Sequence, residues 1–119
     1  MLKLKIKVKN QKMKNAFIHH VYFWLNDPTN TIDRDKLIAG LSKLSAVKTI
    51  QQFHIGLPAD TNRAVIENTY SVSWLLTFEN DVDQASYQID PDHLAFVAEC
   101  SSLWSKVIVY DSINALPII

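Results

Sequence analysis

Between Ala16 and Leu25 the chain reads AFIHHVYFWL, a run of β-branched and aromatic residues that predicts a strand. The cluster Asn26-Asp27-Pro28-Thr29-Asn30 follows as a turn. Leu37, Leu41 and Leu44 then recur at helical spacing with Ile38 beside them, which predicts a helix from an Asp33 N-cap to about Ser45. Thr49 to Leu57 reads as a second strand closed by Gly56 and Pro58, and residues 59–68 as a polar connection. Thr69 to Phe78 is a third strand, with Val72, Trp74, Leu76 and Phe78 on one face. Asn80 or Asp81 caps a short helix to about Gln88. Asp90-Pro91 restarts a helix, Asp90 suiting the N-cap and Pro91 the first helical position. Leu94, Val97, Cys100 or Ser101, and Trp104 keep its rough period. Lys106 to Ser112 is the fourth strand. The order β-α-β-β-α-β is the ferredoxin-like arrangement of an α+β fold with an antiparallel sheet.

The strands are more apolar than such a sheet needs. Phe17, Val21, Phe23 and Leu25 share one face of the first strand; Ile18, Tyr22 and Trp24 share the other. The fourth strand sets Val107 and Val109 against Ile108 and Tyr110. Helices cover one face only. A second copy of the sheet is the simplest cover for the other, making the chain a homodimer through its sheet face. An N-terminal extension folded across the sheet is the alternative.

Composition adds limits. The length of 119 residues gives one domain, and 48% apolar with 20% charged residues is ordinary for a globular chain. The single cysteine, Cys100, excludes an internal disulfide, fits a reduced cytoplasmic setting and reads as core. No apolar run is as long as a membrane span, and the start lacks a signal-peptide pattern. The formal net charge of zero conceals an asymmetry: Lys3, Lys5, Lys7, Lys9, Lys12 and Lys14 supply half the bases. Residues 15–119 hold six bases and twelve acids, a net of −6, which argues against a nucleic-acid partner. In residues 1–14, Leu2, Leu4, Ile6 and Val8 alternate with lysines. They read as an edge strand, as a basic arm, or as a segment outside the domain with Met13 as the true start. The third predicts a poorly ordered or protruding segment and a single domain over 15–119.

Phe53-His54-Ile55-Gly56, Asp90-Pro91-Asp92-His93-Leu94-Ala95-Phe96-Val97 and Lys106-Val107-Ile108-Val109-Tyr110-Asp111 resemble the stress-responsive dimeric α/β-barrel (Dabb) family over about residues 16–112. The resemblance implies ferredoxin-like domains whose sheets pair face to face into a dimeric barrel, and most bacterial members have no assigned reaction. A plant branch of polyketide cyclases closes a ring by aldol condensation without a cofactor. Its catalytic Tyr and His stand six residues apart around a Pro. That implies Tyr87 and His93 here, with His20 as a third histidine and Tyr22, Trp24, Leu37, Leu41 and Trp74 about a pocket between sheet and helices. Trp24 and Trp74 replace aliphatic residues of that pocket, and Leu41 replaces a tyrosine, so two indoles would fill much of it.

The break at Asp90-Pro91 lets Tyr87 and His93 converge although they are six apart. A His93 near a helix N-terminus stays neutral and able to act as a base, and Tyr87 orients it or bonds a developing enolate oxygen. The plainer reading makes His93 a cap and Tyr87 a core aromatic. His19 and His20 point to opposite faces, so only one can join His93. Their adjacency is wrong for joint metal ligation, Asp90 and Asp92 read as caps, and no spacing resembles a zinc site; no metal and no cofactor is expected. Three readings follow: a barrel holding a small, largely apolar ligand; cofactor-independent acid/base catalysis by His93 with Tyr87 and His20, of cyclase or isomerase type; or a structural stress protein without ligand.

Overall fold

The computed structural model describes residues 15–116. The expectations for residues 1–14 lie outside the described residues. The elements are β1 (Phe17–Leu25), α1 (Thr31–Leu44), β2 (Gln52–Gly56), β3 (Val72–Phe78), α2 (Asp81–Gln88), α3 (Pro91–Cys100) and β4 (Trp104–Ile113), with a 3-10 turn at Ser101–Leu103. The four strands form one sheet in the order β2-β3-β1-β4, every neighbouring pair antiparallel. This is the ferredoxin-like α+β arrangement that the element order predicts.

The helix starts obey their capping residues. Asn30, not Asp33, caps α1: its side chain accepts from the Asp33 amide at 3.0 Å. Asp33 therefore lies in the first turn, where its charge complements the helix dipole. Asn80 caps α2 by accepting from the Asp83 amide, and Asp90 caps α3 by accepting from the Asp92 amide, with Pro91 at the start. β2 begins three residues later than its composition suggests. Hydrogen bonds from the Val47 amide to the Leu44 carbonyl and from the Ile50 amide to the Val47 carbonyl hold this stretch in turns. β3 begins later too: Thr69 meets β1 through its hydroxyl, and Ser71 through its hydroxyl and through its amide, which donates to the Phe23 carbonyl.

Strand register assigns the faces. Val21 pairs with Trp74, Phe23 with Val72 and Phe17 with Phe78, so the odd positions of β1 join the even positions of β3 against the helices. The predicted stripe Val72, Trp74, Leu76 and Phe78 is sealed, as are Leu37, Leu41 and Leu44 of α1. On α3 the buried positions are Phe96 and Cys100, one helical turn apart, whereas Leu94 and Val97 are exposed. The helix ends at Cys100, and Trp104 opens β4 and packs on Phe23 and Phe96. A register shift opposite Trp24 and Leu25 accommodates Ser105 as an extra residue.

α1 and α3 approach closely at Gly40. A Cβ there would stand 2.7 Å from Cys100 Sγ and 3.3 Å from the Phe96 ring. Among the described residues the helices lie mainly over β1, β2 and β3 and meet β4 at Trp104, so Val107 and Val109 on the helix side of β4 remain 44% and 45% exposed.

Candidate functional site

Tyr87 ends α2 and His93 opens the first turns of α3, with the capped break at Asp90 between them. The two rings stand 4.7 Å apart between centroids. The break brings together side chains that an unbroken helix would hold apart, as the sequence implies. Tyr87 is 2% exposed and its hydroxyl oxygen accepts from the Trp74 indole N–H at 3.2 Å. An indole N–H can only donate, so the hydroxyl hydrogen of Tyr87 is left for another acceptor. Burial pushes the Tyr87 pKa up to about 12, partly opposed by the Trp74 bond, and the phenol stays protonated.

His93 is half-buried, and its Nδ1 is buried with no partner among the described residues. Desolvation lowers its pKa; the Gln88 backbone and Asp90 oppose this, while His19 reinforces it. The imidazole is therefore neutral at neutral pH, the form that accepts a proton.

The third histidine of this cluster is His19. Its odd position puts it on the helix side of β1, in edge-on contact with Tyr87 at 5.9 Å between centroids. Its Nδ1 is 2.5 Å from Asp111 Oδ1, directly across the β1–β4 ladder. The carboxylate accepts, so Nδ1 carries the proton and the ring orientation is fixed. His20 is displaced from the role expected of it. It lies on the open face, its Nδ1 3.2 Å from the Tyr22 hydroxyl, and so cannot share a space with His93. The signal for His19 was present in the alternation: it falls among Phe17, Val21 and Phe23, the more apolar set. Asp111 had no sequence signal, because its partnership depends on how β4 pairs with β1.

The expected pocket is likewise divided by the sheet. Leu37, Leu41 and Trp74 are sealed in the core, with Trp74 only 1% exposed. Tyr22 and Trp24 lie on the opposite face and line a groove of about 380 Å³ with Glu67, Tyr70, Lys106 and Tyr110. There the Lys106 ammonium sits 4.6 Å from the centre of the Trp24 ring. Two indoles therefore do not crowd one cavity; Trp74 alone belongs to the helix side.

Apolar residues flank the members of the Tyr87–His93–His19 cluster along their own elements. Val97 lies one helical turn after His93, and Val109 stands two residues before Asp111 on the same face of β4. Both are partly exposed. Among the described residues no three His, Cys, Asp or Glu side chains are grouped to hold a metal ion. No helix among them is long and apolar enough to cross a membrane.

An antiparallel β2-β3-β1-β4 sheet with helices on one face defines a ferredoxin-like α+β domain. The family model of the stress-responsive A/B barrel domain (Dabb) matches residues 17–114, and the chain belongs to that family. No curated protein sequence matches significantly. Solved structures do. A dimeric ferredoxin-like protein of unknown function from Thermobifida fusca has 18% identity and a TM-score of 0.68, covering 88% of this chain and 96% of that one. A Dabb family protein with a ferredoxin-like fold from Mesorhizobium loti has 20% identity and a TM-score of 0.68, covering 88% and 99%. A hydroxynitrile lyase from Passiflora edulis has 19% identity and a TM-score of 0.70, covering 87% and 97%. At these identities the likeness is one of fold.

Proposed function

We propose that the chain is a homodimeric barrel protein that holds a small, largely apolar, carbonyl-bearing ligand between sheet and helices. The observation that carries this reading is the buried Nδ1 of His93, which has no partner among the described residues and whose ring lies against that of Tyr87. A buried polar atom without a partner costs free energy, and a ligand that bonds it removes that cost. The partly exposed Val97 and Val109 suit the apolar part of such a ligand. Pairing is supported by the aromatic face carrying Tyr22, Trp24 and Tyr110, which no helix among the described residues covers, and by the dimeric state of the Thermobifida fusca neighbour.

The same geometry favours cofactor-independent acid/base chemistry as a second reading. Tyr87, held as a donor by Trp74 and kept protonated, bonds the ligand's carbonyl oxygen. Neutral His93 accepts a proton from the adjacent carbon, leaving an enolate whose negative oxygen is stabilised by the Tyr87 hydrogen bond. His19, fixed by Asp111, stands next to this pair and takes the place intended for His20. A neighbour of the same fold is a hydroxynitrile lyase, which supports this second reading.

Mass spectrometry of copurifying small molecules, comparing wild type with His93→Ala, tests the binding reading. A ligand present in wild type and depleted in the variant is the expected result. Identical small-molecule content in both sinks a role for His93. Deuterium exchange at the carbon beside the carbonyl of the recovered ligand separates catalysis from binding.

A further inference from the structure

The open face of the sheet has an unusual charge inventory. Its strand residues are Ile18, His20, Tyr22 and Trp24 on β1, with the facing positions of the other strands in register. No carboxylate occurs among them. His20 pairs with Leu75, which pairs with His54, so two imidazoles lie on this face with one leucine between. The cationic side chain that joins them is Lys106, across from Trp24. This contrasts with residues 15–119 as a whole, where acids outnumber bases two to one.

We propose that the sheet-face dimer is acid-sensitive: His20 and His54 of each protomer are covered by the second copy as neutral imidazoles, and protonating them loosens the pair. The proposal rests on the sheet-face pairing given above. Its physical basis is the missing counter-charge. A buried imidazolium needs a carboxylate as counter-charge; the strands of this face provide neutral acceptors such as the Tyr22 hydroxyl but no carboxylate.

Each element around the two histidines is consistent with this. From β1 and β4, Tyr22 and Tyr110 face His20, the first with its ring at 4.3 Å. From β3 comes Leu75, and from β2 His54 itself. The 57–71 connection brings Tyr70, which packs on Tyr22, and Glu67. Glu67 is bonded to the amide and hydroxyl of Thr69, which in turn accepts from Trp24. Trp24 is four residues from His20 along β1, about 13 Å, so this carboxylate serves the Lys106 end of the face. Behind the sheet, His19 is the titratable group that acts on His20, and its neighbour Asp111 is bonded to it. In the protomer, desolvation, then His54, then His19 already lower the His20 pKa. Covering the face adds to the desolvation of His20 and begins that of His54.

Association then releases protons, up to two per protomer, as the pH falls into the range where free imidazoles charge. A difference of one pK unit at a single site weakens association about tenfold. Sedimentation equilibrium of the full chain at pH 7.5 and pH 5.0 provides the test, with circular dichroism at both. Wild type is expected to stay folded and to dissociate at least about tenfold more readily at pH 5.0. His54→Gln, at an exposed position, is expected to reduce the pH dependence, and His20→Gln/His54→Gln to abolish it. An unchanged dissociation constant, unfolding in place of dissociation, or undiminished pH dependence in both variants overturns the proposal. The underlying reading fails separately. A chain monomeric at pH 7.5 and micromolar concentration, or a dimer that tolerates Tyr110→Glu, refutes sheet-face pairing and this proposal with it.

Discussion

Tyr87→Phe removes one oxygen from the best-sealed part of the site. The ring stays, so packing against Phe78, His19 and His93 is retained. What is lost is the acceptor of the Trp74 indole N–H, which is 3.2 Å away and buried with it. Water cannot easily replace that acceptor where both residues are so nearly inaccessible. Leaving a buried donor unsatisfied costs about 1–3 kcal/mol. For a domain of this size each kcal/mol lowers Tm by about 4–8 °C. Urea unfolding followed by tryptophan fluorescence is the assay, at one fixed protomer concentration because dimerisation contributes to apparent stability. Trp74→Phe, which loses ring volume as well as the donor, is expected to cost more. In that background Tyr87→Phe should cost less than it does alone, with a coupling of about 0.5–1.5 kcal/mol. A Tyr87→Phe protein as stable as wild type, or strictly additive single and double variants, would refute the idea that this bond holds Tyr87 in place.

Two further outcomes follow from the packing and the titration. Desolvation holds the His93 pKa below its ordinary value of 6.5, so the unfolded chain binds the proton more readily. Stability from this source is fully present above pH 6.5 and is lost as the pH falls through the folded value; His93→Gln should flatten that part of the stability–pH curve measured in urea. Gly40→Ala should destabilise the domain although alanine favours a helix by about 1 kcal/mol, because its Cβ meets Cys100 Sγ and the Phe96 ring. Adding Cys100→Ala should restore part of the loss in thermal melts, and failure to do so would place the strain elsewhere.

Much of this protein was determined by local sequence. Strand and helix identities followed from periodicity, because side-chain direction repeats every two residues in a strand and every 3.6 in a helix. The break between Tyr87 and His93 followed from Asp90-Pro91, a cap and a ring that start a new helix wherever they occur. The core stripe of β3 and the leucines of α1 were legible for the same reason. Asn30 in place of Asp33 shows the limit of local reading, since either side chain can cap and the surrounding turn selects between them.

Cross-strand partnership was decided only by the tertiary structure. The sequence says that His19 and His20 point apart, but not which of them meets the helices. The pairing of Val21 with Trp74 and of His19 with Asp111 settles that. A shift of one residue in register exchanges every side chain of a strand between faces. That exchange moves His20, Tyr22 and Trp24 away from the helix-side site and onto the face left for another surface to cover. Val107 and Val109 are exposed because, among the described residues, the helices lie mainly over the other three strands, and no pattern within β4 itself encodes that placement.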